Sequence, residues 1–343
     1  MNKSYFILKT GVIFFLIIGC LHQPVKSQQA DAKNNYTGSY YLGNYVWGAA
    51  ANLAWNGLAE NVIKEKIKLK SNDTITVAML DKFNNLSFSK TDLDEKSYYI
   101  KSGYGQKTID EINHELKAAF PKKNFSDLKI GLKENDIISF AYLLKEVSYP
   151  AKFTKNEFSF KEEKVKGFYA RGNKERENIK IVYYENDDRF IVSLQLNEKE
   201  DELFLAKGFD MNNPEMVINT IHQHNKNAAI KLNERDKFEA PRLSFENHRD
   251  YVELMNKQLA NTGFENYSIK QMVENIKFKM DEKGARVENK FVMHFVGAVI
   301  KSGEKPKYLI LNKAYWVVMQ RKNAAKPYFL LGINNTALME KIN

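Results

Sequence analysis

One cysteine, Cys20, is all that the 343 residues contain, so no disulfide can form within the chain. This says little about compartment, because a domain of this size can bury a large core without covalent staples. Proline (7) and glycine (17) are scattered, so no Pro/Gly/Ser-rich linker divides the sequence. With 43% hydrophobic residues the chain reads as one globular unit. Beyond the first twenty residues no run is long and apolar enough to cross a bilayer as a helix. The chemistry-bearing motifs are missing too. There is no G-x-S-x-G elbow, no P-loop and no dinucleotide fingerprint. Of six histidines, His222 and His224 alone stand close together in sequence, and no third ligand stands at a metal-site spacing from them. A polar helix end accounts for them. Asp187-Asp188 reads as a solvated hairpin turn. The sequence therefore points away from an enzyme and implies neither cofactor nor metal.

The N-terminus reads as a secretory leader. Lys3 and Lys9 precede Val12-Ile13-Phe14-Phe15-Leu16-Ile17-Ile18, too short for a stable membrane anchor. Val25-Lys26-Ser27 offers small residues for a peptidase, which places cleavage after Ser27. A second reading takes Ile17-Ile18-Gly19-Cys20 as a lipoprotein box with Cys20 lipidated. The expected organisation is a signal peptide at 1–27, a flexible segment at 28–43 and a single domain at 44–343. Sequons stand at Asn35, Asn72, Asn85, Asn124, Asn266 and Asn334, and their use depends on the host.

Loss of Lys3, Lys9 and Lys26 lowers the formal charge from +10 to +7. That excess favours polyanions such as glycans. The densest basic run holds Lys64, Lys66, Lys68 and Lys70. It is the candidate polyanion site, although alternation with Glu65, Ile67 and Leu69 reads first as a solvated strand face. The aromatics are not interleaved with basic clusters, so nothing points to nucleic acid.

Along the chain, Asn44 to Val62 reads as a strand entering a buried helix. Thr108-Ile109-Asp110-Glu111 has the form of a capping box. Ile109, Ile112, Leu116 and Phe120 form one helical stripe ended by Pro121. Pro214 can start another helix through Met216, Val217, Ile218 and Ile221. No solenoid period appears.

The last hundred or so residues carry the most information. Phe238-Glu239-Ala240-Pro241-Arg242-Leu243-Ser244-Phe245 is a Pro-broken β-like run. A helix is expected from about His248 to Ala260. Glu274 to Gly284 then alternates apolar and charged residues as a half-buried strand does. A long connection follows, then Tyr308 to Met319 and the closing strand Pro327 to Asn334. Upstream, Asn135 to Lys145 reads as a strand followed by Pro150-Ala151-Lys152-Phe153, and Val165 to Tyr169 as another. Ile181 to Tyr184 and Phe190 to Leu196 form a hairpin. The ordered set, over about residues 100–336, resembles the serpins.

The resemblance implies an α+β fold of large mixed and antiparallel β-sheets, a helical N-terminal part and an exposed reactive-type loop. It implies a non-enzymatic, monomeric, secreted partner of an extracellular serine protease, with an anionic glycan as a second partner. Inhibition would proceed by cleavage of the loop after Gly284 and insertion of the cut strand. The implied hinge is Glu282, Gly284, Ala285 and Val287. The family's spacing from Gly284 puts the scissile bond at Ala298–Val299, suited to elastase- or chymotrypsin-like enzymes. The sequence departs from the pattern in its hinge: Arg286-Val287-Glu288-Asn289-Lys290-Phe291 is bulkier than the usual small residues. A non-inhibitory binding or carrier module is therefore the alternative, and an unrelated secreted α+β enzyme the third reading. Phe291 to Ile300 reads equally as an ordinary strand.

Overall fold

A computed structural model describes residues 34–89, 91–225, 230–285 and 305–342. The expected leader and the expected scissile bond lie outside the described residues. Alternating apolar and polar residues turn most of the chain into strands. β1 (Ser39–Tyr41) and β2 (Asn44–Gly48) lead into α1 (Ala50–Leu58), which loosens into a π-type turn at Ala59–Ile63, and then α2 (Thr74–Asn85). β3 (Tyr98–Tyr104), α3 (Gly105–Ala119), β4 (Ile137–Leu143) and β5 (Val147–Ser148) follow. Next come β6 (Thr154–Phe160), β7 (Glu163–Tyr169), α4 (Asn173–Glu177), β8 (Ile179–Asn186), β9 (Arg189–Leu194) and β10 (Asp201–Lys207). After α5 (Pro214–His224) come β11 (Ile230–Lys231), β12 (Lys237–Pro241), β13 (Leu243–Asp250), β14 (Val273–Met280) and β15 (Gly284–Ala285). The chain closes with β16 (Tyr308–Ile310), β17 (Tyr315–Arg321) and β18 (Pro327–Ile333).

The largest sheet has eight strands in the order β1-β2-β18-β17-β10-β9-β8-β11, all antiparallel. A second has the order β16-β12-β7-β6, with β16 parallel to β12. Three pairs complete the set: β3-β4, β13-β14 and β5-β15. This is the α+β architecture of mixed and antiparallel sheets that the sequence implied, with three of its helices ahead of β4.

Two hydrophobic cores meet at α1. Leu53 joins the main core, which holds Trp47, Phe204, Trp316 and Leu330. Ala51 and Trp55 face a smaller one with Phe83, Tyr251, Leu254 and Leu259. The 3.6-residue period alone puts the two sets on different faces of one helix.

Three local expectations are corrected. Residues 248–260 form no helix: β13 continues to Asp250, and Asn256 takes a left-handed φ of 59°. Leu259 bridges instead to Leu69, so a distant strand partner overrides the helical spacing. Thr108 is not a cap. Gly105 adopts φ 64°, the helix starts there, and the Thr108 hydroxyl donates back to the Tyr104 carbonyl at 2.8 Å. Within the segment 28–43, expected to be flexible, residues 34–43 are packed. Tyr36 and Thr37 are buried and Ser39–Tyr41 pair with β2. The stripe Ile109, Ile112, Leu116 and Phe120 is buried as its spacing predicts, and Pro214 begins α5.

Candidate functional site

The expected hinge residues lie where β14 ends. Asp281, Glu282 and Lys283 turn the chain back on itself, closed by the Asp281 amide donating to the Gly284 carbonyl at 3.0 Å. The Lys283 amide donates to the Asp281 carboxylate at 2.8 Å. Chain reversal requires Gly284. Its φ is 145°, and a Cβ there would stand 2.4 Å from the Val147 carbonyl oxygen.

After the turn, Gly284 and Ala285 run antiparallel to β5, Gly284 opposite Ser148 and Ala285 opposite Val147. On its other side Gly284 bridges Asp281. The two residues after the turn therefore form a short strand between the line of β14 and the line of β5. The turn is clamped by two more amides, Tyr149 to the Lys283 carbonyl at 3.0 Å and Phe153 to the Glu282 carbonyl at 2.9 Å.

Charge reinforces the clamp. The Glu282 side chain is 1% exposed, with Arg242 Nε at 3.4 Å, Lys155 Nζ at 3.4 Å and Lys152 Nζ at 3.6 Å. Arg242 also meets Glu340 at 3.1 Å and Asp281 at 3.9 Å. Neither Glu282 Oε2 nor Arg242 Nε makes an aligned hydrogen bond, so the contact is charge attraction between buried groups. Such a pair is weak evidence of net stability, but removing one partner strands the other charge.

Below the hinge lie two half-sheets. β3 pairs with β4 and β13 with β14, and among the described residues the remaining edges of β4 and β14 have no strand partner. α1 lies against both. Ser139 of β4 donates to the Ala54 carbonyl at 2.5 Å, and Glu274 of β14 accepts from the Ala51 amide at 3.4 Å. Ser102 of β3 and Ser139 share a hydroxyl hydrogen bond at 2.7 Å beside Gly57. The arrangement is a slot with a helix for a floor and the β15 hinge across one end.

Beyond Ala285, Val287, Ala298 and Val299 lie outside the described residues. The chain re-emerges at β16, on the edge of the four-stranded sheet. Lys207 secures that return, a role sequence did not suggest. Its ammonium, on a side chain 4% exposed, donates to the Ile310 carbonyl and Asn312 Oδ1, each at 2.9 Å, and to the Asp187 carbonyl at 3.0 Å. Burial lowers its pKa, while Asp188 at 3.0 Å opposes the shift. Asp187 and Asp188 do occupy a hairpin turn, but they are engaged: Asp187 accepts from Tyr184 and Tyr308, and Asp188 pairs with Lys207 and Lys313. Arg242 and Lys207 escaped the sequence reading because their partners lie from about twenty to about a hundred positions away.

Lys64, Lys66, Lys68 and Lys70 do not join the hinge. Ile67 between them is buried while all four lysines are exposed, the pattern of a solvated extended edge. Lys68 pairs with Glu65 at 2.6 Å, and Lys66 reaches Asn85 at 3.4 Å. Lys64 and Lys66 line a hollow of about 530 Å³ with Asn84 and Asn85. His222 and His224 sit in the last turn of α5, and among the described residues no three His, Cys, Asp or Glu side chains gather as a metal site.

No family model and no curated protein sequence matches the chain. Solved structures do. Tengpin, a thermophilic serpin in its native state, superposes with a TM-score of 0.53 at 13% identity, over 91% of this chain and 97% of that one. The mouse protein-Z dependent protease inhibitor gives 0.51 at 11%, over 86% and 91%. Serpin48 of the insect Tenebrio molitor gives 0.49 at 10%, over 85% and 92%. At these identities the likeness is one of fold.

Proposed function

We propose that this chain, whose fold is serpin-like, is a secreted, non-enzymatic protein that traps an extracellular serine protease by inserting its own cleaved loop. The observation carrying this reading is the placement of Gly284 and Ala285 as the first rungs of a strand between β14 and β5. Residues that follow would extend that ladder between β14 and β4. Each ladder hydrogen bond is worth about 0.5–1.5 kcal/mol net, and a new central strand makes them on both edges. Cleavage is what frees the segment to enter. Ala298–Val299 is the bond we assign, the leader at 1–27 directs export, and 44–343 together with the packed residues 34–43 is the domain that does the work. No helix among the described residues is long and apolar enough to cross a membrane. One of the fold's likenesses is itself a protease inhibitor.

Incubation with elastase- and chymotrypsin-like proteases tests this. An SDS-stable covalent complex, together with a higher melting temperature for the cleaved chain, is the expected result. Cutting without either would overturn it.

A second reading, a non-inhibitory binding module, is favoured by the hinge itself. If Ala285 faces the interior of the sheet, alternation sends Val287, Asn289, Phe291 and Met293 the same way. An unpartnered Asn289 amide costs about 1–3 kcal/mol, and overpacking by Phe291 costs about as much. Cleavage with unchanged thermal stability is the signature of this alternative. An anionic glycan docking on Lys64, Lys66, Lys68 and Lys70 fits either version.

A further inference from the structure

Glu340 lies outside both the slot and the turn at 281–284, yet its carboxylate shares the cation that faces that turn. The backbone fixes its place. The Lys166 amide of β7 donates to the Glu340 carbonyl at 2.8 Å, the Glu340 amide to the Arg242 carbonyl at 3.0 Å, and the Arg242 amide back to the Lys166 carbonyl at 2.8 Å. Three chain segments thus close one ring of hydrogen bonds. Met339 bridges Leu243, Lys341 bridges Val165, and Leu338 and Met339 are buried, so Glu340 and Arg242 cannot drift apart. We propose that Glu340 divides the Arg242 clamp: it holds one arm of the guanidinium away from Glu282 and so sets how readily the turn opens. The proposal rests on reading that turn as the hinge of an entering strand.

The geometry of the fork fixes the direction. A guanidinium offers its Nε–H and the adjacent Nη2–H as one edge, and a carboxylate seated there takes both. In Arg242 that edge is split. Nη2 stands 3.1 and 3.3 Å from the two Glu340 oxygens, with Asp281 at 3.9 Å. Nε is 3.4 Å from Glu282 Oε2, and among the described residues neither atom has an aligned hydrogen bond. The planar fork cannot turn its whole edge to Glu282 while Nη2 serves Glu340. Burial makes the division costly for the hinge. The Glu282 side chain is 1% exposed and the Glu340 side chain 19%, so the carboxylate with less access to water receives the poorer share. Lys152 and Lys155 do not make up the difference, because both are more than half exposed and reach the other Glu282 oxygen. Lys279 pairs with Asp281 at 3.3 Å and Lys341 with Glu163 at 3.5 Å. A neutral amide at position 340 keeps the backbone ring, gives up the charge attraction and leaves the edge to Glu282. Loss of the Glu340 charge therefore tightens the turn.

Hydrogen exchange on the whole uncleaved protein, at one fixed pH, tests the division through the Tyr149 and Phe153 amides, which donate to the turn. Glu340→Gln is expected to raise their protection by about fivefold or more, with the Lys166 amide of the ring as protected as before. The gain is expected to vanish when Glu282→Gln is added, because residue 282 is then no longer a carboxylate that can take the freed edge. A fall or no change at Tyr149 and Phe153 in Glu340→Gln, the result a plain brace gives, would overturn the proposal. A gain that survives in the double variant would overturn it as well. No protease enters this measurement. A missing covalent complex beside the expected exchange pattern removes the inhibitory reading alone, and the converse removes only the divided clamp.

Discussion

The eight-stranded sheet and the slot use the same strand chemistry and reach opposite ends of mechanical commitment. Every residue of β18 is buried, and β17 is buried except for Arg321. Each of these strands is paired on both edges. β3 and β4 are half-buried throughout their paired length except for the exposed Tyr104, and β4 and β14 each have one partner among the described residues. Within each sheet the cross-strand aromatic contacts differ as well, although Tyr142 of β4 meets Phe120 at 5.0 Å and Phe278 of β14 stacks on Phe329 at 4.7 Å. Tyr45 meets Trp316 edge-on at 5.4 Å, whereas β3 and β4 share only a tilted Tyr99–Phe140 pair at 6.2 Å. One region spends its apolar residues on permanence, and the other leaves room for rearrangement. Local opening should therefore begin at the slot.

The largest effect is expected deep in the big sheet. Trp316 is fully buried, donates its indole N–H to the Asp210 carbonyl at 3.2 Å and packs over Gly332. Trp316→Ala should cost close to 5 kcal/mol, the upper end for such truncations, measured by urea unfolding. A loss below about 2 kcal/mol would erase the contrast drawn here.

Glu282→Ala comes next. It leaves Arg242 with Asp281 and Glu340 as its remaining partners and should cost about 1–2 kcal/mol, felt locally. Exchange of the Tyr149 and Phe153 amides is expected to accelerate while β17 and β18 stay protected. Equal acceleration in both regions would mean that the hinge and the large sheet open as one unit.

The smallest effect is expected on the basic edge. Changing Lys64, Lys66, Lys68 and Lys70 together to Gln should move the melting temperature by no more than about 2 °C, since no core contact is lost. Any retention on an immobilised sulfated glycan should drop in the same variant. Unchanged retention would clear these lysines of a role.

Sequence alone carried the order of strands and the turn that ends β14, because both depend on local alternation and on one glycine. It failed where distant partners decide. Tyr251, Leu254 and Leu259 have a helix-like spacing, yet they fill the small core from an irregular segment pinned to residues 68–70. Thr108 and Glu111 match a cap, yet Gly105 had already begun the helix three residues earlier. Arg242, Lys207 and Glu274 look like ordinary charges in text. Burial and partners far along the chain give them their roles, and no window of neighbouring residues contains that information.

The position of β18 has a consequence for biosynthesis. It lies between β2 and β17, and β17 in turn lies against β10. A nascent chain that has not yet delivered residues 315–333 holds β1-β2 and β10-β9-β8 as separate fragments with nothing to bridge them. Translation must therefore pass residue 333 before the largest sheet can close, and until then the apolar faces of both fragments are exposed to chaperones and to aggregation.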